Sequence, residues 1–438
     1  MSPAELVEDT IRRIETADPE LNFLVTDCFE QAQRAPAGAG PFAGVPMLVK
    51  DLTETAGVRT TFSSRAFADH VPAVDAAVVR RMKDAGFVVV GKSNTPEFGS
   101  TAVTESLLNG ACRNPWDTSR TPGGSSGGAA AAVAAGVLPL AHGSDGGGSL
   151  RIPASCCGLF ALKPSRGRVS PAPLTSGSLE LSQNGAISVT VRDAAAFLDA
   201  VAGYEPGDAQ WAPPTARPFL DEVGAPPGRL RIAFTTTPPI DRPVDPRVAA
   251  VAHDAAEALA ALGHDVVDAT PPWRHDPVLD QFARLWSLGP ALYPADPAAF
   301  EPLNRWLAEC AHAQTSVEYA QAVVGLQRLS RAVVAFFFDE GFDAVLTPAL
   351  AKLPVPIGWV FEPSDPRAQF ERGAELTPFT PVVNVTGQPA MTVPFAVLDG
   401  LPAGVQVIGR PADEATLFRL AAQLEEAHPW AGRLPERG

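Results

Sequence analysis

Lysine is scarce in this 438-residue chain: only Lys50, Lys83, Lys92, Lys163 and Lys352 stand among 34 basic residues. Basic charge as a whole also falls short, because 49 acidic residues leave a formal net charge of −15. That balance argues against nucleic acid as the main partner, because phosphate binding needs a basic face. It equally disfavours a polybasic grip on anionic membranes, and no apolar run reaches the roughly 18 residues of a membrane-spanning helix. The start, MSPAELVEDT, has no basic segment followed by an apolar one, so no signal peptide is expected. Cysteines are few and odd in number (Cys28, Cys112, Cys156, Cys157, Cys310), without metal-ligand spacing, which fits free thiols in a reducing cytoplasm. No His-x-x-x-His pair or carboxylate–histidine cluster offers a metal site. What is present is a globular composition, 46% hydrophobic and 19% charged, with 37 glycines and 44 prolines.

Periodicity and punctuation divide the chain into helices and strands. Ser2, Pro3 and Glu5 predict a capped helix with Leu6, Val7, Ile11 and Ile14 on one side, ended by Asp18-Pro19. Val45–Val49 reads as a strand running into Lys50-Asp51. Asp75 is expected to cap a helix through Ala85, followed by a short strand at Phe87–Val90. An Ala-rich helix (Ala129–Ala135) and a strand (Val137–Ala141) lie between two glycine clusters. Beyond Tyr204 a Pro-rich stretch to Gly228 reads as surface connection, before a strand at Leu230–Phe234 and a helix at Pro246–Leu262. The chain from Asp276 to Phe338 reads as mostly helical. Val345–Thr347 suggests another strand, Ala390–Pro394 and Val405–Ile408 form a hairpin turning at Leu398–Pro402, and a last helix covers about 413–427. The alternation indicates an α/β architecture, and without repeats or charged linkers a single large domain is expected.

Three places could carry chemistry. Lys50 ends an apolar strand, where desolvation would lower its pKa and make a neutral amine accessible; the alternative is a lysine that snorkels outward or pairs with Asp51. The cluster Thr121–Gly128 opens a helix and formally contains G-x-S-x-G around Ser125. It lacks the Lys-Ser/Thr pair of a phosphate loop, and turn sequence rather than a strand precedes it, so a plain glycine-rich turn is the competing reading. The cluster Gly143–Ser149 leaves the amides of Gly146, Gly147, Gly148 and Ser149 unobstructed, a nest able to hold an oxyanion beside a serine, with a flexible loop as the alternative. Asp145 could hold that loop by accepting from backbone amides or Arg151. Of the seven histidines (His70, His142, His253, His264, His275, His312, His428) only His142 lies near the clusters, at a strand end that suits a structural role. Cys156 and Cys157 fall in the apolar run Ile152–Leu162 and read as core.

The segment Gly123–Arg168, together with Gly44–Asp51 upstream and Phe379–Pro394 and Leu401–Arg410 downstream, closely resembles the amidase signature family across nearly the whole chain. The resemblance implies a single α/β domain over 1–438 with a mixed central sheet covered by helices, a signature core at about 44–170 and a variable pocket region at about 206–374. It implies Ser149 as nucleophile, Ser125 (24 positions earlier) as bridging serine at a cis peptide bond, and Lys50 as general base. Gly146, Gly147 and Gly148 would supply the oxyanion hole, with Asp145 and Arg151 as supports and no metal or organic cofactor. Ser144 and Gly146 depart from the threonine and the non-glycine residue that many members carry there.

The wording around Ser149 is most similar to the branch containing 6-aminohexanoate cyclic-dimer hydrolases. The expected activity is hydrolysis of a small to medium, uncharged or aromatic amide through an acyl-enzyme, in the cytoplasm and by default as a homodimer. Cyclic amides, aryl amides, the glutaminase role of a tRNA-dependent amidotransferase subunit, and a silent binding protein are the alternatives. Trp211, Trp286, Trp306 and Trp359 in the variable segments at about 206–245 and 276–374, with Trp273 just outside those segments, are either pocket lining or core.

Overall fold

Ser2 and Glu5 begin the fold as anticipated: Ser2 Oγ accepts from Glu5 N at 3.3 Å while Glu5 Oε2 accepts from Ser2 N at 2.6 Å. In the computed structural model, which describes residues 2–35, 38–173, 180–274, 277–433 and 435, this helix spans Pro3–Leu21. His275 and Asp276 lie outside the described residues. Pro19 does not end the helix. Proline removes one hydrogen bond, and the buried Leu21 retains the last turn. Asn22 at φ 54° terminates it instead, with Asp18 Oδ1 accepting from Phe23 N and Leu24 N at 2.7 and 2.8 Å.

A small sheet then assembles in the order Leu24–Asp27, Val88–Ser93, Pro46–Lys50, the last two parallel. The strand expected at Phe87–Val90 continues to Ser93 through Gly91, where a Cβ would lie 2.5 Å from Leu24 Cδ1 and 2.7 Å from Thr26 O. Only glycine lets the strands meet there. Asp75 does not cap the helix that follows; Ala77–Asp84 starts from Ala76, and Asp75 accepts from Ala56 N and pairs with Lys83, each at 2.7 Å.

Among the described residues the main sheet has eight strands in the order Asp265–Asp268, Arg231–Phe234, Ala344–Pro348, Leu401–Gly409, Ala390–Leu398, Phe160–Lys163, Gln183–Ser188 and Leu140–Asp145. The first three are parallel and every later pairing is antiparallel, so the sheet is mixed, as expected. The expected hairpin is longer and its turn tighter: Leu398 pairs with Leu401, leaving Asp399 (φ 52°) and Gly400 (φ 79°) as a two-residue loop of the Asp-Gly kind.

Two placements matter for the site. The helix Gly127–Ala134 is buried at all eight positions, and a Cβ at Gly127 would fall 2.2 Å from Thr104 Oγ1. Its Gly/Ala composition is therefore the packing requirement of a helix closed in on every side. The strand expected at Val137–Ala141 forms later, at Leu140–Asp145, and so carries Ser144 and Asp145 to its C-terminal end.

Candidate active site

Lys50 closes a strand in which all five residues are buried, and is itself fully buried. It neither snorkels nor pairs with Asp51, whose carboxylate accepts from Thr61 Oγ1 at 2.5 Å and Thr61 N at 3.1 Å. Lys50 Nζ lies 2.7 Å from Ser125 Oγ, 3.2 Å from Ser144 Oγ and 3.3 Å from Ser144 O. Burial pulls its pKa down to about 7, with the Asp145 charge opposing. A neutral amine has two hydrogens for the two Ser144 oxygens and one lone pair for Ser125, which matches this set of contacts. Ser144, not singled out from sequence beyond its departure from threonine, thus keeps a hydroxyl on the lysine.

Ser125 follows a cis peptide bond with Gly124 and is buried. Ser149 sits just before the helix Arg151–Cys157; its carbonyl accepts from Ser126 N at 3.3 Å, while its hydroxyl has no partner among the described residues. The glycine loop between is only partly available as a nest. Gly148 N–H donates to Asp145 Oδ1 at 2.7 Å, so this amide is committed and, contrary to expectation, is not free to meet an oxyanion. Gly146 and Gly147 donate to no partner among the described residues. Gly148 has a different role: at φ +126° its missing Cβ makes room for Thr380 Oγ1, which would otherwise be 2.3 Å away and which donates to Gly147 O at 2.7 Å.

Asp145 and Arg151, both fully buried, hold this loop. Arg151 Nε donates to Asp145 Oδ2 and Nη2 to Oδ1, both at 2.9 Å, a bidentate pair. Burial alone would raise the Asp145 carboxyl, but the Arg151 guanidinium, with help from Lys163 and Asn384, holds it well below the carboxylate range. Asn384 Nδ2 donates to Asp145 Oδ1 at 2.9 Å and Asp145 O at 2.8 Å, and Arg151 further donates to Asn384 Oδ1, Thr380 O and Gln406 Oε1. Asn384, Thr380 and Gln406 were not identified from sequence as parts of this network. They stand more than 200 residues from Arg151, and no local pattern points to them.

His142 is structural, as expected. It is fully buried, its Nδ1 accepts from Lys50 N at 3.3 Å, and its Nε2, left with the proton, faces Asn184 Oδ1 at 3.2 Å. Burial pushes its pKa down to about 3. Cys156 and Cys157 are buried, with the Cys156 thiol pushed up to about 12. Among the described residues no group of His, Cys, Asp and Glu could hold a metal.

Two cavities meet at Ser149 and share Gly99, Ser100 and Trp286. The narrow one, about 100 Å³, is lined chiefly by apolar side chains such as Ile152, Val278, Phe282 and Phe370, with no charged residue among the described residues. The wide one, about 510 Å³, contains Ser125, Ser144 and Gly146. Trp286 stands over the glycine loop, with its ring 3.2 Å from where a Gly146 Cβ would be and its Nε1 donating to Ser100 O at 3.0 Å. Of Trp211, Trp273, Trp286, Trp306 and Trp359, Trp286 alone lines either of these two cavities. Trp273 is core, Trp211 is 65% exposed, Trp306 packs on Phe370 and Trp359 lies under Arg372. The wide cavity instead takes Phe62, Phe67 and Phe98 from the segment after Lys50, which sequence reasoning passed over.

The chain matches the Amidase family over residues 5–418. It is 39% identical to a 6-aminohexanoate-cyclic-dimer hydrolase of Paenarthrobacter ureafaciens, over 100% of this chain and 94% of that protein. Among solved structures, a 6-aminohexanoate cyclic dimer hydrolase complexed with substrate superposes with a TM-score of 0.95 at 37% identity, covering 100% of this chain and 96% of that one. A bacterial aryl acylamidase of the amidase signature enzymes superposes at 0.88 with 27% identity, covering 100% and 96%. With the sheet, the lysine–serine contact and these relatives together, the chain belongs to the amidase signature family and is an amide hydrolase.

Proposed function

We propose that Ser149 attacks the substrate carbonyl while its proton passes through Ser125 to Lys50. The neutral lysine accepts from Ser125 Oγ, Ser125 accepts from Ser149, and the new Ser149 Oγ–carbon bond pushes the carbonyl electron pair onto oxygen. That oxyanion is met by the free amides of Gly146 and Gly147, which Asp145, Arg151 and Thr380 hold in place. Reversal of the relay delivers the proton to the departing nitrogen as the carbon–nitrogen bond breaks. Water then hydrolyses the acyl-enzyme by the same path, releasing carboxylic acid.

The observation that carries this reading is the 2.7 Å contact of a fully buried Lys50 Nζ with Ser125 Oγ, in a cavity that Ser149 also lines. The uncharged narrow cavity supports a small to medium, uncharged or aromatic acyl group. Neither cavity presents a lysine or arginine among the described residues, so the α-carboxylate of glutamine would find no cationic partner. Residues 206–374, which contribute Ile240, Val278, Phe282 and Trp286, would then set much of the specificity.

The test is amine or ammonia release from aliphatic, aryl, peptide and cyclic amides by wild type and Ser149→Ala. A loss of at least about 10³-fold in kcat with unchanged circular dichroism is expected. Retained turnover in Ser149→Ala would overturn the nucleophile assignment.

A further inference from the structure

The two cavities differ in which part of the relay they touch. Ser125 and Ser144 line only the wide cavity, whereas Gly147 and Ile152 line only the narrow one. In the mechanism proposed above, the proton returning through Ser125 must reach the departing nitrogen. The nitrogen therefore leaves on the wide side, and the acyl chain occupies the narrow one.

The wide side has a chemistry of its own. Its charged lining residues are Glu54 and Glu180, with no lysine or arginine among the described residues. Among the described residues the Glu54 carboxylate has no hydrogen bond or ion pair; its backbone carbonyl accepts from Ala76 N at 3.0 Å. The same cavity is lined by aromatic faces: Tyr293 stacks on Phe98 at 4.2 Å and meets Phe62 at 5.1 Å. Burial, and after it the charges of Glu54, Asp51 and Glu97, push the Tyr293 phenol up. His70, on the same wall, holds a buried Nε2 without a partner. A carboxylate and π faces lining one partly enclosed cavity can attract an organic cation, through ion pairing and cation–π contact at once. The acidic surface of the chain favours the approach of such a molecule.

We propose that the wide cavity binds the leaving-amine half of the substrate and that Glu54, with Phe98 and Tyr293, selects amines bearing a second, cationic nitrogen. The substrate class is thus a mono-acylated diamine with an uncharged acyl group. This rests on the serine relay proposed above, and it limits the expectation of an uncharged substrate to the acyl half.

The experiment compares N-butyryl-1,5-diaminopentane with N-butyrylhexylamine, which differ by an ammonium in place of a methyl group, in wild type, Glu54→Gln and Ser149→Ala. In wild type kcat/KM should favour the ammonium compound by at least about tenfold, and in Glu54→Gln that ratio should fall to about one. A second pair, N-propyl-6-aminohexanamide and N-propylheptanamide, puts the charge on the acyl side and should show no ammonium preference. The inference is overturned by a wild-type ratio near one, by a ratio that survives Glu54→Gln, or by an acyl-side preference. The wild-type ratios decide the matter even if the variant fails to fold. Turnover of either compound by Ser149→Ala would instead sink the relay itself, so the two failures are distinguishable.

Discussion

Replacing Lys50 by methionine should abolish activity and yet stabilise the protein, by an amount that depends on pH. Burial lowers this lysine from its ordinary 10.5 to about 7. Between those values the unfolded chain holds a proton that the folded chain has released, so stability rises with pH across that window. The deficit is fully present below about pH 7 and disappears as pH approaches 10.5. At about 1.36 kcal/mol per pKa unit it amounts to roughly 4–5 kcal/mol at neutral pH, an upper value for an interior that can relax. Methionine fills a similar volume without the charge, but the Ser125 and Ser144 hydroxyls lose their partner, at about 1 kcal/mol. A net gain of at most about 3–4 kcal/mol is therefore expected at pH 6.5, read as a higher urea midpoint with unchanged slope. By pH 10 it should shrink to below about 1 kcal/mol. Lys92 and Lys163, likewise buried and lowered to about 8 and about 7, titrate in both proteins and drop out of the difference. A Lys50→Met protein no more stable than wild type at pH 6.5, or a gain equally large at both pH values, would refute the idea that this lysine is held neutral by burial.

Other outcomes follow from the same geometry. If Lys50 is the base proposed above, it must be neutral to act, so kcat/KM should rise with pH through an apparent pKa near 7 and be lost below it, which a pH–rate profile on any good substrate will show. Arg151→Met leaves the Asp145 carboxylate buried without its bidentate partner and should cost about 3–5 kcal/mol in denaturant unfolding, far more than loss of a surface pair. Gly148→Ala must strain a residue at φ +126° and drive a methyl group toward Thr380 Oγ1, displacing the loop that bears Gly146 and Gly147. A loss of at least about tenfold in kcat, with KM less affected, is expected there.

Much of the proposed catalytic constellation is written locally. Gly143–Ser149 reads as a nest because three glycines in a row leave amides bare, and Lys50 is conspicuous as one of five lysines, at the end of an apolar run. Capping at Ser2 and Glu5, the Ala-rich helix and the C-terminal hairpin depend on neighbours a few residues apart, so their existence was legible even where their ends were not. Pro19 and Asp75 misled because each is a local signal overruled by packing: a buried Leu21 in one case, an ion pair with Lys83 in the other.

What only the tertiary structure decided is pairing over distance. Whether the Gly148 amide is free depends on where the Asp145 carboxylate points, and that is fixed by Arg151 and by Asn384, 239 residues beyond Asp145. Which aromatics reach the cavities was equally undetermined, because a tryptophan in the core and one over the glycine loop have the same hydrophobicity. Trp286 became a wall through its approach to Gly146, and Phe98 became one by stacking on Tyr293. The sequence by itself determined the reactive groups, since their chemistry resides in single side chains and short loops. Folding determined their protonation, their orientation and the two cavities they serve, since desolvation and shape are properties of the whole packed interior.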